Sequence, residues 1–371
     1  MKKHLLSFAV MLSATLFTAC INTDNTPNRY IVPVANGVYV IESGNVDKGI
    51  PGSLTSYSYS SKTTTNGING ASLGNGVLND VMRYGNRTYI VADDENSVFV
   101  IDAKTLTMKH RINMINLLGD QGAHPRRITA NGENIYVSTY GGCVAVIDTV
   151  NFSLVKKYEV GSCPESVLIS NGYLYVANSD YGLGNASISI INLATDESKE
   201  ITNENIRNPQ ELAIAGTDIY YLDWGQYGPE PDYAQEHAGV YCYSMSEDKA
   251  AQIIPDATGM ACYGTSIITY NNANGVEKTT YSIYDIRTPS IIKTFEPEGI
   301  ESPAAIAIDP LTNYLFIASN HKQDGEQYGD YNSNGYVVFY DLTSMGRLGS
   351  FNCGIGPVRI AFNNSIEEVE F

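Results

Sequence analysis

The 371-residue sequence is poor in the residues that most often carry chemistry: five histidines, six cysteines and one tryptophan. No Cys-x-x-Cys spacing occurs, so neither a zinc cluster nor a dithiol redox centre is indicated. There is no His-Glu-x-x-His pair of metalloprotease type. Cations are scarce, 23 Lys and Arg against 40 Asp and Glu, for a formal charge of −17. Setting Lys2 and Lys3 aside makes the remainder more negative still. Such a surface repels phosphate backbones and anionic bilayers, which argues against nucleic acid as a partner. After the N-terminus no apolar run is long enough to cross a membrane.

What is present begins with Lys2 and Lys3, a short apolar run from Leu5 to Phe17, then Thr18, Ala19 and Cys20. A charged start, a short apolar stretch and small residues make a secretory signal rather than a spanning helix. A Cys directly after the small residues resembles a bacterial lipobox, with Phe17 where Leu is commoner. The expected organisation is a lipoprotein signal peptide over 1–19, an acylated tether over 20–30 with lipid on Cys20, and one folded domain over 31–371. Stable anchoring of this kind needs more than one acyl chain. Five cysteines then remain, an odd number that cannot all pair, and buried free thiols are the default.

Tyrosine is abundant, at 27 against 10 Phe, and it falls in a repeat. One copy runs Asn134-Ile-Tyr-Val-Ser-Thr-Tyr140, Cys143-Val-Ala-Val-Ile-Asp-Thr149, Leu154-Val-Lys-Lys-Tyr-Glu-Val160. Repeats of several short alternating strands at a fixed period indicate a β-propeller, each copy one four-stranded blade. Full blades are expected at 77–114, 126–160, 165–202, 210–255, 259–295 and 304–353. Two pieces are left over: an N-terminal piece with Gly37–Ser43, Leu54–Ser61 and a poorly marked third strand, and a C-terminal strand Pro357–Phe362. Together they make a seventh blade in which the last strand closes the ring beside the first and leaves no open edge. The expected fold is all-β, a single seven-bladed propeller.

The stretch Tyr158-Glu-Val-Gly-Ser-Cys-Pro-Glu165, then Asn171-Gly-Tyr-Leu-Tyr-Val-Ala-Asn178 and Ile188-Ser-Ile-Ile-Asn-Leu193, resembles the YVTN-repeat, YncE-like propellers. Their unit is a leading Pro, a Tyr-Val-x-Asn strand and an Ile-Asp-x-x-Thr turn. The leading Pro recurs at Pro125, Pro164, Pro209, Pro303 and Pro357; Thr258-Gly259 replaces it in blade six. With the lipobox, Gly37-Val-Tyr-Val-Ile-Glu-Ser-Gly-Asn45 and Asn352-Cys-Gly-Ile-Gly-Pro357 make the chain similar to surface propeller lipoproteins of Bacteroidetes. These include the BtuG-type group that captures cobalamin for a TonB-dependent outer-membrane transporter. The resemblance implies an outer-membrane, surface-exposed, lipid-anchored binding protein, with a corrinoid as leading ligand and that transporter as partner.

Within a blade the second-to-third-strand loops and the blade-to-blade crossovers share one rim, called here the upper rim. The other turns share the lower rim. The long loops, at 44–52, 180–186, 225–238 and 320–334, all fall on the upper rim, where binding is expected. They hold Tyr181, Tyr227, Tyr233, Tyr328 and Tyr331, with Trp224 at a loop root and Tyr140 at a strand end. Aromatics beside amides suit a ring-shaped polar ligand. The leading ends of inner strands add Arg126, Glu165 and Gln210 at the channel mouth. Cys143 and Cys163 lie near this rim and are the one pair to examine for a bridge.

His124, His237 and His321 share the rim without a metal-ligand spacing, which makes solvated loop histidines the expectation. Asp330, Asn332 and Asn334 match the start of a calcium loop, but the strand that follows suits an Asn-Gly turn instead. No cofactor is expected. Glu230 and Asp232 have no evident base, and Cys163 with His124 is the only nucleophile-base pairing on the rim, so catalysis is not expected. The rival readings are a propeller lyase or lactonase, which needs clustered His and carboxylates at the channel mouth, and an adhesive surface protein.

Overall fold

The computed structural model describes residues 29–68, 70–228, 235–272, 279–323 and 329–370. The expected signal segment and Cys20 lie outside them. Of the expected tether only Arg29 and Tyr30 are described, and they are already strand.

Seven four-stranded antiparallel sheets form a ring, with one further two-stranded hairpin. Six sheets are built from consecutive strands. Blade three, for example, runs outward from Pro125–Asn131 through Asn134–Thr139 and Cys143–Asp148 to Leu154–Glu159. Blade one has the expected composite make-up. Its outer strands are Thr64–Ile68 and Ser53–Ser58, then comes Arg29–Glu42, and its innermost strand is the C-terminal Pro357–Glu370. The poorly marked third strand is Thr64–Ile68.

Middle strands read as continuous buried runs because both faces of each sheet pack against neighbouring blades. Val98–Ile101, Val144–Val146 and Ile188–Ile191 are typical. Seven apolar clusters result, one per blade junction. The cluster joining blade seven to blade one contains Phe316, Val337 and Phe351 from one side and Val38, Val40, Tyr57 and Ile360 from the other. Closure of the ring is therefore a packed core as well as a hydrogen-bonded ladder. Fully burying one such side chain is worth about 1.5–3 kcal/mol. The outer strands are the wet edges, with Ser290–Phe295 exposed along nearly its whole length.

The Ile-Asp-x-x-Thr signature is a turn mechanism. Asp102, Asp148 and Asp341 each accept backbone N–H groups two or three residues on, as does Asn192. A left-handed residue then closes each turn: Leu106, Phe152, Met345 and Asp196. The leading Pro also has a structural role. Inner strands shift register just after it, between Pro125 and Ile128, Pro164 and Val167, Pro209 and Glu211, and Pro303 and Ala305. A bulge there re-aims the next side chains towards the axis.

Three features depart from the sequence expectation. The crossover from blade two to three carries a one-turn helix, Met114–Leu118, capped by the Asn113 side chain, and a 3-10 turn, Gly119–Gly122. Gly122 is required there, since a Cβ would lie 2.1 Å from the Met114 carbonyl oxygen. The blade-five loop contains the hairpin Gln226–Tyr227 with Gln235–Glu236. Finally, the closing pair of strands overshoots the ring. Arg29 to Ala35 pair with Glu370 to Asn364 as a ribbon beyond the ordinary inner-strand length. At about 3.4 Å per residue this ribbon extends roughly 20 Å from the lower rim.

Candidate functional site at the channel mouth

Inner strands start at the upper rim, so their first residues converge on the upper mouth of the central channel. A cavity of about 620 Å³ occupies it. Its lining mixes polar groups, among them Asn79, Asp80, Arg126, Arg127, Glu211 and Arg359, with apolar ones such as Trp224, Met260, Ala304, Ala305, Ile306 and Val358.

Four charged side chains bridge the throat. Arg359 Nε donates to Asp80 Oδ1 at 3.1 Å and its Nη2 to Glu211 Oε2 at 3.1 Å. Arg127 Nη2 lies 3.4 Å from Glu211 Oε1, and its Nη1 donates to the Asn79 carbonyl at 2.8 Å. Asp80 Oδ2 accepts the Ile128 N–H at 3.0 Å. Burial pushes the Glu211 carboxyl upward, but Arg359 and Arg127 outweigh it and hold it below the usual carboxylate range. Sequence reasoning missed this cluster. Its signal was the register: Arg127, Glu211 and Arg359 each stand two residues after a leading Pro, and Asp80 two after Leu78, the matching position of blade two. Beside it, Cys262 is exposed into the cavity it lines, and the surrounding protein, then Glu211, push its thiol up.

Above the throat, on the side of blades two to four, the structure gathers His124, Arg126, Tyr140, Glu165 and Tyr181. Arg126 lies 3.0 Å from Glu165 and 2.7 Å from Asp93, and its guanidinium sits 4.5 Å from the Tyr140 ring centroid. The Tyr140 hydroxyl donates to Glu165. Tyr181 meets Tyr140 edge-on at 5.0 Å. Burial raises the Tyr140 phenol, and the neighbouring Glu165 charge adds to it. His124 Nδ1 lies 2.5 Å from Asp93 Oδ1.

Asp93, Asp94 and His124 have ligand-type atoms within 4.8 Å of one another. Asp93, however, already serves His124, Arg126 and Asn79, and Asp94 accepts the Val77 N–H. With a guanidinium 2.7 Å away, a second cation is repelled. The donor set fits an Asp–His pair better than a metal centre.

The remaining expected residues are spread around the rim. Gln210 is buried and donates to Asn208, and it lines the cavity with Trp224, whose Nε1 donates to the Thr258 carbonyl. Tyr331 and Tyr227 are 54% and 49% exposed. Tyr270, which sequence reasoning passed over, lines the cavity. Burial and then Tyr331 and Glu211 raise its phenol. His237 is exposed, and its carbonyl accepts the Tyr241 hydroxyl. His321 pairs with Glu301 at 2.9 Å over Tyr336 in blade seven. The histidines therefore do not converge. Tyr233 and Tyr328 lie outside the described residues, as do Glu230 and Asp232.

Asp330 spends its carboxylate on its own loop, accepting from Asn332 and Ser333, and Asn334 already pairs within a strand. Cys143 and Cys163 are free thiols. Gly70-Ala-Ser-Leu-Gly74 has the Gly-x-Ser-x-Gly spacing of a nucleophile elbow. It is a 3-10 turn between blades one and two, without the strand-turn-helix setting of such an elbow.

No protein-family model matches the sequence, and no curated protein matches it. Solved structures do match in fold. The chain is similar to dihydro-heme d1 dehydrogenase NirN in complex with DHE, at 12% identity and a TM-score of 0.57, over 89% of this chain and 75% of that one. It is similar to Kuenenia stuttgartiensis hydrazine synthase at 15% identity and a TM-score of 0.54, over 77% and 92% of the two chains. It is also similar to the RRP9 WD40 repeats at 8% identity and a TM-score of 0.52, over 75% and 84%. Identities this low carry the fold alone. By its own sheets the chain is a seven-bladed β-propeller.

Proposed function

We propose that the upper channel mouth binds a small molecule with one apolar face and several polar edge groups. The observation that carries this reading is the mixed apolar and polar lining of the cavity. Its volume falls in the usual ligand range of roughly 300–1,000 Å³. Trp224 and Tyr270 line it together with charged groups that are already paired, and Tyr331 lies within electrostatic reach of Tyr270.

The leading ligand is a corrinoid, which exceeds the cavity and would lie across the mouth on the loop aromatics. The rest of the proposal follows the sequence resemblance: a surface lipoprotein, acylated at Cys20, that passes its ligand to an outer-membrane transporter. The ribbon suits this arrangement. A tether ahead of Arg29 joins at the lower-rim side, which leaves the upper rim facing away from the lipid.

The test is calorimetric titration of the protein with cyanocobalamin. Saturable heat and colour retained on the protein are expected; neither would drop the corrinoid. A second reading, a hydrolytic or lyase enzyme, draws on the Asp93–His124 pair beside Arg126. It requires turnover that His124→Ala abolishes.

A further inference from the structure

A second cavity, about 590 Å³, lies at the lower rim between blades two and three. It is lined by Tyr84, Arg87, Asp102, Lys109, His110 and Phe152, among others. On a chain with 23 Lys and Arg against 40 acids, two cations, Arg87 and Lys109, meet here beside the His110 ring and one acid, Asp102.

The fold brings them together by three devices. The outer strand of blade two shifts register where Val100 faces His110 and Ile101 faces Met108, so Lys109 is the bulged residue and shares the groove with His110. The Asx turn at Asp148 presents Phe152 in the left-handed region. The His110 ring then stacks on Phe152 at 4.5 Å and 11°, and the Arg87 guanidinium stands 4.9 Å from the same ring. Their charges are poorly neutralised. Arg87 donates to the Thr149 carbonyl and has no carboxylate partner among the described residues. Asp102 lines the groove, stands across the strands from Arg87 and lies 3.8 Å from Lys109, but its Oδ1 is committed to the Lys104–Thr105 turn. The Tyr84 hydroxyl is held by the Gly132 carbonyl and forms a wall.

We infer that this groove is an anion site for a phosphate or sulfate group, read by Arg87, Lys109 and His110. A guanidinium and an ammonium facing a single, partly committed carboxylate keep N–H donors in excess, which is what a tetrahedral oxyanion requires. The site is independent of the channel mouth, on the opposite rim.

The test uses the purified protein with inorganic phosphate, inorganic sulfate, and vesicles of phosphatidylglycerol or phosphatidylcholine, followed by calorimetry and vesicle flotation. Saturable phosphate or sulfate binding is expected, weakened about tenfold or more by Arg87→Gln, as loss of one charge-assisted contact implies. The Lys109→Gln/His110→Gln variant changes two exposed side chains and so tests the site without endangering the fold. It should lose comparable affinity, whereas Lys199→Gln on another blade should not. Phosphatidylglycerol binding lost in the double variant identifies a lipid headgroup as the source; ion binding without vesicle binding identifies a soluble ester. Absence of saturable binding to any probe, or unchanged binding in the double variant, overturns the proposal.

Discussion

Glu42 offers the sharpest test of the packing. Its side chain is fully buried at the end of a blade-one strand. Ser53 donates to Oε2 at 2.7 Å, while Oε1 has no partner. Burial pushes its carboxyl up from 4.5 to about 7, and the Ser53 hydrogen bond, with weaker help from the nearby Thr55 hydroxyl and Gly354 amide, offsets only part of that. The folded state thus holds the proton more tightly than the unfolded state. Its stabilising contribution is complete below about pH 4.5 and is lost as pH rises through about 7. A rise of this size corresponds to about 3 kcal/mol of differential stability.

Glu42→Gln is neutral at every pH, so it removes that slope. Urea unfolding from pH 4.5 to 8.5 should show the variant below wild type in acid by whatever an unpaired amide costs, about 1–3 kcal/mol. Above pH 7.5 its stability relative to wild type should have risen by about 3 kcal/mol. Comparing the two proteins cancels the other titrating groups. Parallel pH profiles would refute a buried protonated Glu42.

The throat cluster should behave as a coupled unit. Arg359→Ala leaves Glu211 buried beside a single weaker partner and should cost about 3–5 kcal/mol in denaturant unfolding. Arg359→Met combined with Glu211→Leu should recover most of that; additive losses would contradict the coupling. Deleting residues 357–371 removes the innermost strand of blade one and one wall of two blade junctions. Cooperative unfolding should disappear, and a truncated chain with an unchanged transition would refute the closure.

How far the sequence foretold this structure depended on how local each signal was. Strands and turns were legible because each blade repeats a short pattern, and Asp102, Asp148 and Asp341 fix their turns within three residues. Most strand ends agree to within a residue or two. The helix Met114–Leu118 was not legible, since five residues are too few to show a helical period. The ribbon was missed because nothing in Arg29–Ala35 signals a break from its tether until the partner strand is known.

The channel mouth divides in the same way. Arg126 and Glu165, one blade apart, were legible from their places after a leading Pro. The Asp80–Glu211–Arg359 contacts span up to 279 positions and exist only once the ring is closed. Glu42 was overlooked because an acid ending a strand reads as a turn residue, and its burial comes from Gly354 and Cys353 of another blade.

The proposed binding function rests on the aromatic loops of the upper rim. Tyr227 and Tyr331 are both about half exposed, so their removal tests binding with little disturbance of the fold. Calorimetric titration of Tyr227→Ala/Tyr331→Ala with cyanocobalamin should show at least about a tenfold loss of affinity, from about 1.4 kcal/mol of lost contact, with the melting temperature unchanged. Binding as tight as wild type would contradict the account.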